Sequence, residues 1–259
     1  MTHLEVSGGI ARLTFANPPV NSLAPEVLAS ATAALEQLEA RDDWNVLALC
    51  STQRVFSAGG DLQAMAQWMN QPDPGAAIAT YARGVQVLAR RIEALPKPTA
   101  ALCGGSALGG GLELALACDL RIASTGASFG LPEVGLGLLP GAGGTQRLTR
   151  LCGKATAMRL ILGAEVVDAS EARRLGIVQW VYPPGEFDGS ANSILSRVAS
   201  LNSQALVRSK ACIRHAYEEG TSAGFEVEID SLAALARTAA TRNLVDAFLA
   251  RGSATKETA

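Results

Sequence analysis

Histidine is scarce in this chain of 259 residues, which contains only two. His3 lies near the N-terminus and His215 lies in a late helical pattern, so a Ser-His-Asp site has almost nothing to build on. The five cysteines include no Cys-x-x-Cys pair and mostly have apolar neighbours, which argues against a disulfide framework and against a zinc site. We therefore expect the cysteines to be small core residues, and we expect no bound metal.

An excess of charge of either sign is also absent. The 22 basic and 24 acidic residues leave a net charge of -2, which gives no general basic surface for nucleic acid. Arg83, Arg90 and Arg91 form the best basic cluster, but they follow a helical pattern and are interpreted as a solvated helix face. We therefore expect no nucleic-acid partner.

Long hydrophobic runs are missing as well. No stretch reaches about 18 uninterrupted apolar residues, the length that a membrane-spanning helix needs. The first residues, MTHLEVSGGIARLTF, have neither the basic start nor the apolar run of a signal peptide. These absences predict a cytoplasmic protein with no membrane partner.

The chain does contain enough apolar material for a sizeable core, with 48% hydrophobic and 18% charged residues. Short apolar runs predict strands, and helical periodicity fills most of the intervals between them. The expected fold class is therefore α/β over residues 1–190, followed by an α-helical region over residues 191–259. The predicted strands are 11–16, 46–50, 98–103, 119–124 and 176–183, and the predicted helices of the core are 25–40, 76–95 and 169–175.

Several glycine-rich segments invite a nucleotide-binding interpretation, but none has the required spacing. In GGGLEL, Leu114 stands where G-x-G-x-x-G needs its third glycine, and in GLGLLP that position is Pro140. GAGGTQR lacks the lysine of a P-loop, and Leu108 in GGSALGG replaces the last glycine of the G-x-S-x-G nucleophile motif. The glycines therefore need another explanation.

The segment SALGGGLELALACD, residues 106–119, predicts a buried helix that begins on glycine. Free N–H groups in a first turn, backed by the helix dipole, suit a developing negative oxygen, so Gly110 is a candidate oxyanion donor. Helical side chains lean toward the N-terminus, so Glu113 is expected to point back toward that amide. The alternative is that Glu113 is an ordinary first-turn acid stabilised by the dipole.

Two other segments carry candidate groups. Glu133 lies in a Pro- and Gly-rich loop among apolar residues, which are expected to desolvate its carboxylate and raise its pKa, although it could also be a surface-loop acid. VFSAGGDL, residues 55–62, is a second glycine turn after a strand. Taken alone, it is interpreted as a strand-to-helix turn with Asp61 as the helix N-cap.

Together these segments resemble the crotonase superfamily, the enoyl-CoA hydratases and isomerases. The matching stretches have the family's order and spacing, and the resemblance extends over the chain up to its helical C-terminal region. They are NPPVNSL (17–23), FSAGGDL (56–62), SALGGGLELALACDLRIAS (106–124), FGLPEVGLGLLPGAGGTQRL (129–148) and DASEARRLGIVQWV (168–181).

The resemblance implies a crotonase-like spiral of ββα units, with a helical C-terminal region that drives assembly into a homotrimer or a hexamer built as a dimer of trimers. It implies an acyl-CoA substrate whose thioester oxygen is bound by the backbone N–H groups of Gly60 and Gly110. The two glutamates of the family's hydratases match Glu113, which would activate the water, and Glu133, which would supply a proton.

By the same resemblance, Ala58, Asp61 and Leu62 belong to the segment around the CoA adenine. The implied reaction is reversible addition of water to a 2-enoyl-CoA in fatty acid metabolism, without a cofactor other than the CoA of the substrate. The chain departs from the family pattern at Gly104, at Ser106 and in its last residues. The resemblance therefore does not define the shape of the acyl pocket or a contact between the C-terminus and CoA.

Two alternatives to a hydratase stay open. A Δ3,Δ2-enoyl-CoA isomerase, or another acyl-CoA enzyme of the superfamily, would use the same backbone site. A protein of a different class, a non-catalytic CoA-ester binder or an RNA-binding protein, would not need both glutamates, and the net charge gives no support for RNA.

Overall fold

The computed structural model describes residues 1–218 and 221–254 of the chain. It contains two compact units, one formed by residues 1–200 and one that begins at Leu201. Eight α-helices belong to the described part of the first unit and three to that of the second. They are α1 (Pro25–Glu39), α2 (Leu62–Trp68), α3 (Pro74–Ala94), α4 (Gly110–Ala117), α5 (Gly144–Cys152), α6 (Lys154–Leu162), α7 (Ala169–Arg174), α8 (Pro184–Ala199), α9 (Ser203–Glu218), α10 (Thr221–Ala236) and α11 (Ala239–Ala254).

The strands of the first unit form two sheets. The strands are β1 (Thr2–Ser7), β2 (Gly9–Phe15), β3 (Trp44–Ser51), β4 (Thr99–Cys103), β5 (Ala107–Leu108), β6 (Leu120–Ser124), β7 (Ser128–Gly130), β8 (Val166–Asp168) and β9 (Trp180–Tyr182). One sheet has six strands in the order β1-β2-β3-β4-β6-β9, with β1 antiparallel to β2 and the other neighbours parallel. The other is small and has the order β5-β7-β8.

The large sheet is covered by helices on both faces, which explains the continuous apolar run in β3. Leu47 and Leu49 face the main core together with α1 and α3, whereas Val46 and Ala48 pack in a second cluster with Leu195 of α8. Alternate residues of a strand point to opposite faces, so a strand covered twice is apolar at nearly every position. The expected α/β class is confirmed.

The five predicted strands and three predicted core helices are present, with shifted ends. The strand expected at 176–183 is shorter, because residues before Trp180 form a turn in which Gly176 has φ +83°. Asp168 caps α7 by accepting from the Glu171 N–H. His3, near the N-terminus, is an exposed residue of β1, an edge strand whose alternate residues Leu4 and Val6 pack against the main core.

The small sheet determines where the candidate site forms. β5 and β7 are parallel neighbours, with Leu108 opposite Gly130, and the Gly109 N–H donates to the Gly130 carbonyl at 3.0 Å. Directly after these strands come α4, which carries Glu113, and a 3₁₀ helix, Pro132–Leu136, which carries Glu133. Because parallel strands end at the same edge, the two acids emerge side by side.

The regular elements in the described part of the second unit are all helices, in agreement with the helical C-terminal region predicted from the sequence. Several large apolar side chains of α9, α10 and α11 are exposed in the single chain. They are Ile213, Phe225, Ile229, Leu232, Leu244 and Val245. In neither unit does a described helix combine the length and the apolar character needed to cross a bilayer.

Candidate active site

Two glycine turns meet at the start of α4. A Cβ on Gly59, whose φ is +92°, would lie 2.9 Å from the Gly110 nitrogen and 2.7 Å from the Leu108 oxygen, so only glycine fits there. The Gly60 nitrogen in turn lies 3.7 Å from the position of a Cβ on Gly110. The structure therefore brings together the two residues that the sequence analysis selected as oxyanion donors.

The N–H groups of Gly60 and Gly110 are free to bind a ligand. Neither donates to an acceptor within residues 1–218 and 221–254. Gly110 is the first residue of α4, where an N–H has no partner inside the helix and the dipole favours negative charge. The pair is suited to an oxygen that gains negative charge.

The turn that contains Gly60 is anchored by its neighbours. Leu23 donates its N–H to the Gly59 carbonyl at 2.8 Å, and the Gly59 N–H donates to Ser57 Oγ at 3.1 Å. Ser57 Oγ donates in turn to the carbonyl of Asn21 at 2.7 Å. These bonds occupy the surrounding polar groups and leave the Gly60 N–H outside the network.

Glu113 is almost completely buried, with 2% of its surface exposed. Its Oε1 accepts two backbone hydrogen bonds, from Ala142 N–H and from Gly144 N–H, each 2.7 Å long. Burial raises the pKa of Glu113, and the two N–H donors together with the Arg147 charge oppose that rise. No residue in the described part of the chain donates to Oε2, which leaves one carboxylate oxygen for a ligand.

Glu133 lies in a different environment. Burial, aided by the nearby Glu113 charge and opposed by its own backbone N–H, raises the pKa of Glu133 to about 7. Its Oε2 is buried and has no hydrogen-bond partner among the described residues. Its Oε1 lies 2.9 Å from the position of a Cβ on Gly109, so the carboxyl group lies against the start of α4 and is not a solvated loop acid.

The contacts of the predicted CoA segment are those of a helix start. Asp61 Oδ1 accepts from the N–H groups of Gln63 and Ala64 at 3.0 Å each, which makes Asp61 the N-cap of α2. Ala58 and Leu62 are exposed, and no described residue donates to the Ala58 carbonyl. This backbone oxygen is therefore available to a ligand.

The residues that hold Glu113 were not among the predicted site residues. The sequence predicts a carboxylate that faces the Gly110 amide, whereas the structure places Ala142, Gly144 and Arg147 around it. GAGGTQR was tested only as a phosphate loop, although its glycines carry the signal: Gly143 has φ +105°, and a Cβ on Gly144 would lie 2.9 Å from Glu113 Oε1. Among the described residues, no group of three His, Cys, Asp or Glu is placed to bind a metal ion.

Comparison with known proteins agrees with this geometry. The family model described as Enoyl-CoA hydratase/isomerase matches residues 5–257. The chain is 39% identical over 220 residues to a short-chain-enoyl-CoA hydratase from Clostridium acetobutylicum, covering 81% of this chain and 82% of that protein. The crystal structure of an enoyl-CoA hydratase from Bacillus anthracis superimposes with a TM-score of 0.90 at 29% identity, covering 96% of each chain.

A longer relative shares only one portion with this chain. The glyoxysomal fatty acid beta-oxidation multifunctional protein MFP-a of Brassica napus is 40% identical over 195 residues. The match covers 73% of this chain but only 26% of the length of that relative.

Proposed function

Because the chain belongs to the enoyl-CoA hydratase/isomerase family, we propose that it is an enoyl-CoA hydratase. It adds water reversibly to the double bond of a 2-enoyl-CoA and forms a 3-hydroxyacyl-CoA. The observation that carries the proposal is the convergence of two desolvated carboxyl groups, the buried Glu113 and the half-buried Glu133, at the start of α4, beside the free N–H groups of Gly60 and Gly110.

The two N–H groups stabilise the charge that hydration creates. Attack of water at Cβ moves electrons through the conjugated system onto the thioester oxygen, which becomes an enolate. Fixed donors at Gly60 and Gly110 bind this oxygen more tightly as its charge grows, and one such donor contributes about 10²- to 10³-fold in rate. The rest of the site then needs only to move protons.

The two carboxyl groups divide the proton transfers. Glu113 Oε2 takes a proton from the water as its oxygen bonds to Cβ, while Oε1 stays on the amides of Ala142 and Gly144. Glu133, whose pKa of about 7 keeps a substantial protonated fraction at neutral pH, delivers a proton to Cα as the enolate collapses. One proton is taken up and one is delivered, so the addition of water is balanced.

We propose that coenzyme A enters only as part of the substrate. Hydration changes no oxidation state overall, so it requires no redox cofactor and no metal. The free Ala58 carbonyl and the helix start at Asp61 and Leu62 support a backbone contact with the adenine beside the Gly60 turn. The cytoplasmic location and the absence of nucleic-acid partners stay predictions.

An isomerase is the nearest alternative, and the second acid argues against it. Moving a proton between two carbons can be done by a single base, whereas hydration must activate a water and also protonate Cα. Both positions are filled and both acids are desolvated. A non-catalytic binder would gain nothing from two desolvated carboxyl groups that cost stability.

We also propose that the protein assembles as a homotrimer or as a hexamer. The exposed apolar side chains of the second unit, including Phe225, Ile229 and Leu232 on α10, support an interface with other copies.

Loss of the conjugated thioester absorbance on a panel of 2-enoyl-CoA esters tests the reaction and measures the chain-length preference. The product formed in H₂¹⁸O should carry the label at C3, and Glu113→Gln is the matched inactive control. Isomerisation of 3-enoyl-CoA esters at an equal or higher rate, with no labelled alcohol at any chain length, would refute the hydratase assignment.

A further inference from the structure

The turn formed by residues 140–144, here called the Glu113 turn, holds Glu113 through backbone groups. Both N–H donors to Oε1, those of Ala142 and Gly144, belong to this turn. Gly144 also packs against the carboxylate so closely that a Cβ there would lie 2.9 Å from Oε1 and 2.9 Å from Leu131 Cδ1. Any displacement of the turn therefore displaces the carboxylate oxygen or breaks its hydrogen bonds.

Side chains from two helices hold the Glu113 turn from its other side. Arg147 on α5 donates from Nη1 to the Ala142 carbonyl at 2.9 Å, and Gln86 on α3 donates from Nε2 to the Gly141 carbonyl at 2.7 Å. Ala142 therefore donates to Glu113 and accepts from Arg147. A single residue of the turn links the guanidinium to the carboxylate.

Arg147 is itself fixed by an ion pair with α3. Its Nη2 donates to Glu93 Oε2 at 2.8 Å and its Nε to Glu93 Oε1 at 3.3 Å, a forked arrangement that restricts the orientation of the guanidinium plane. The Arg147 side chain is only 12% exposed, whereas that of Glu93 is 45% exposed. The shielded partner is thus the one that contacts the Glu113 turn.

We propose that Arg147 is a positioning residue for Glu113, because its bond to the Ala142 carbonyl and its pairing with Glu93 keep the turn's amides on Oε1 and leave Oε2 toward the substrate water. The inference rests on the proposed hydration, in which Glu113 is the base. The positive charge of Arg147 also acts on Glu113, because it opposes the rise in pKa that burial causes in that carboxyl group.

The sign of the charge effect separates positioning from simple support of the fold. Arg147→Gln removes a cation, so the pKa of Glu113 rises and the acidic limb of the kcat profile moves to higher pH. Glu93→Gln retains the Arg147 cation and removes an anion, so the limb stays in place or moves to lower pH. If Arg147 only stabilised the fold, the acidic limb would stay in place in both variants.

The two variants should also separate kcat from KM. In Arg147→Gln the turn loses its anchor, so we expect kcat at its optimum to fall by about 10-fold to 10²-fold with KM changed by less than about threefold. Arg147→Lys keeps the charge but loses the forked pair with Glu93. Its acidic limb should therefore lie at the wild-type pH, and its kcat should lie between those of Arg147→Gln and the wild type. A matched control is Arg91→Gln, which breaks an Arg91–Glu39 fork on the same helix as Glu93 but away from the turn.

A measurement without turnover distinguishes failure of this proposal from failure of the hydratase assignment. The amide NMR shifts of Ala142 and Gly144 should titrate with Glu113, and the midpoint should be higher in Arg147→Gln than in the wild type. If the wild type hydrates no enoyl-CoA, this shift alone decides the proposal. If Arg147→Gln does not fold, Arg147→Lys and Glu93→Gln decide it.

The positioning role is overturned if Arg147→Gln retains both the wild-type kcat and the wild-type titration midpoint. It is equally overturned if Glu93→Gln and Arg147→Gln move the midpoint in the same direction, or if Arg91→Gln reproduces the effect.

Discussion

Replacing Glu133 by glutamine should abolish most activity and at the same time stabilise the folded protein. The carboxyl group is half-buried, its Oε2 has no hydrogen-bond partner among the described residues, and its pKa is raised from 4.5 to about 7. Glutamine has nearly the same shape but no charge to desolvate. Since it also has no proton to deliver to Cα, kcat should fall by at least about 10²-fold.

The magnitude follows from the shift in pKa. A folded-state pKa above the unfolded value means that the folded state binds more protons, so stability decreases as pH rises from about 4.5 to about 7. The full shift corresponds to at most about 3 kcal/mol, since one pKa unit is worth about 1.4 kcal/mol. Because part of the side chain keeps its water, we expect a penalty of about 1 to 2 kcal/mol above pH 7 and none below pH 4.5.

Thermal unfolding of both proteins at matched scan rate, from pH 4.5 to pH 8, measures this difference. Glu133→Gln should unfold at about the wild-type temperature at pH 4.5 and about 2 to 8 °C higher at pH 8. The control is Glu5→Gln on the exposed edge strand β1, which should show no such pH dependence. An equal or lower unfolding temperature for Glu133→Gln at pH 8, or full activity, would refute the reasoning.

Other substitutions test the rest of the site and the assembly. Glu113→Gln should lower kcat by at least about 10²-fold while CoA-ester binding survives, because the amide oxygen can still accept from the turn; near-normal turnover in the folded variant would remove Glu113 from the mechanism. Gly144→Ala should cost about 1 to 3 kcal/mol and lower kcat by about 10²-fold, whereas Gly126→Ala, with open space around its Cβ, should be silent in both assays. Light scattering should show a trimer or hexamer, and Phe225→Asp should weaken this assembly because it places a charge on the exposed apolar surface of α10. A fully active monomer at micromolar concentration would contradict the predicted assembly.

The elements with local signals could be predicted from the sequence. β3 and β4 are apolar runs, and α1 and α3 combine a helical period with a proline start, so each segment indicates its own structure. The strands β5, β7 and β8 have only two or three residues and no apolar run of their own. They exist because their backbones pair with distant segments, which no local pattern reveals.

The candidate groups of the site were also visible in the sequence, since glycine turns and isolated acids in apolar segments are unusual. From the residues alone, Gly110, Glu113 and Glu133 were candidates for backbone and carboxyl chemistry, and the family resemblance added Gly60. Only the tertiary structure decided that β5 lies beside β7 and so sets the two acids at one edge. Only it decided that the amides of Ala142 and Gly144 hold Glu113, because hydrogen bonds between segments 29 and 31 residues apart depend on how the whole chain packs.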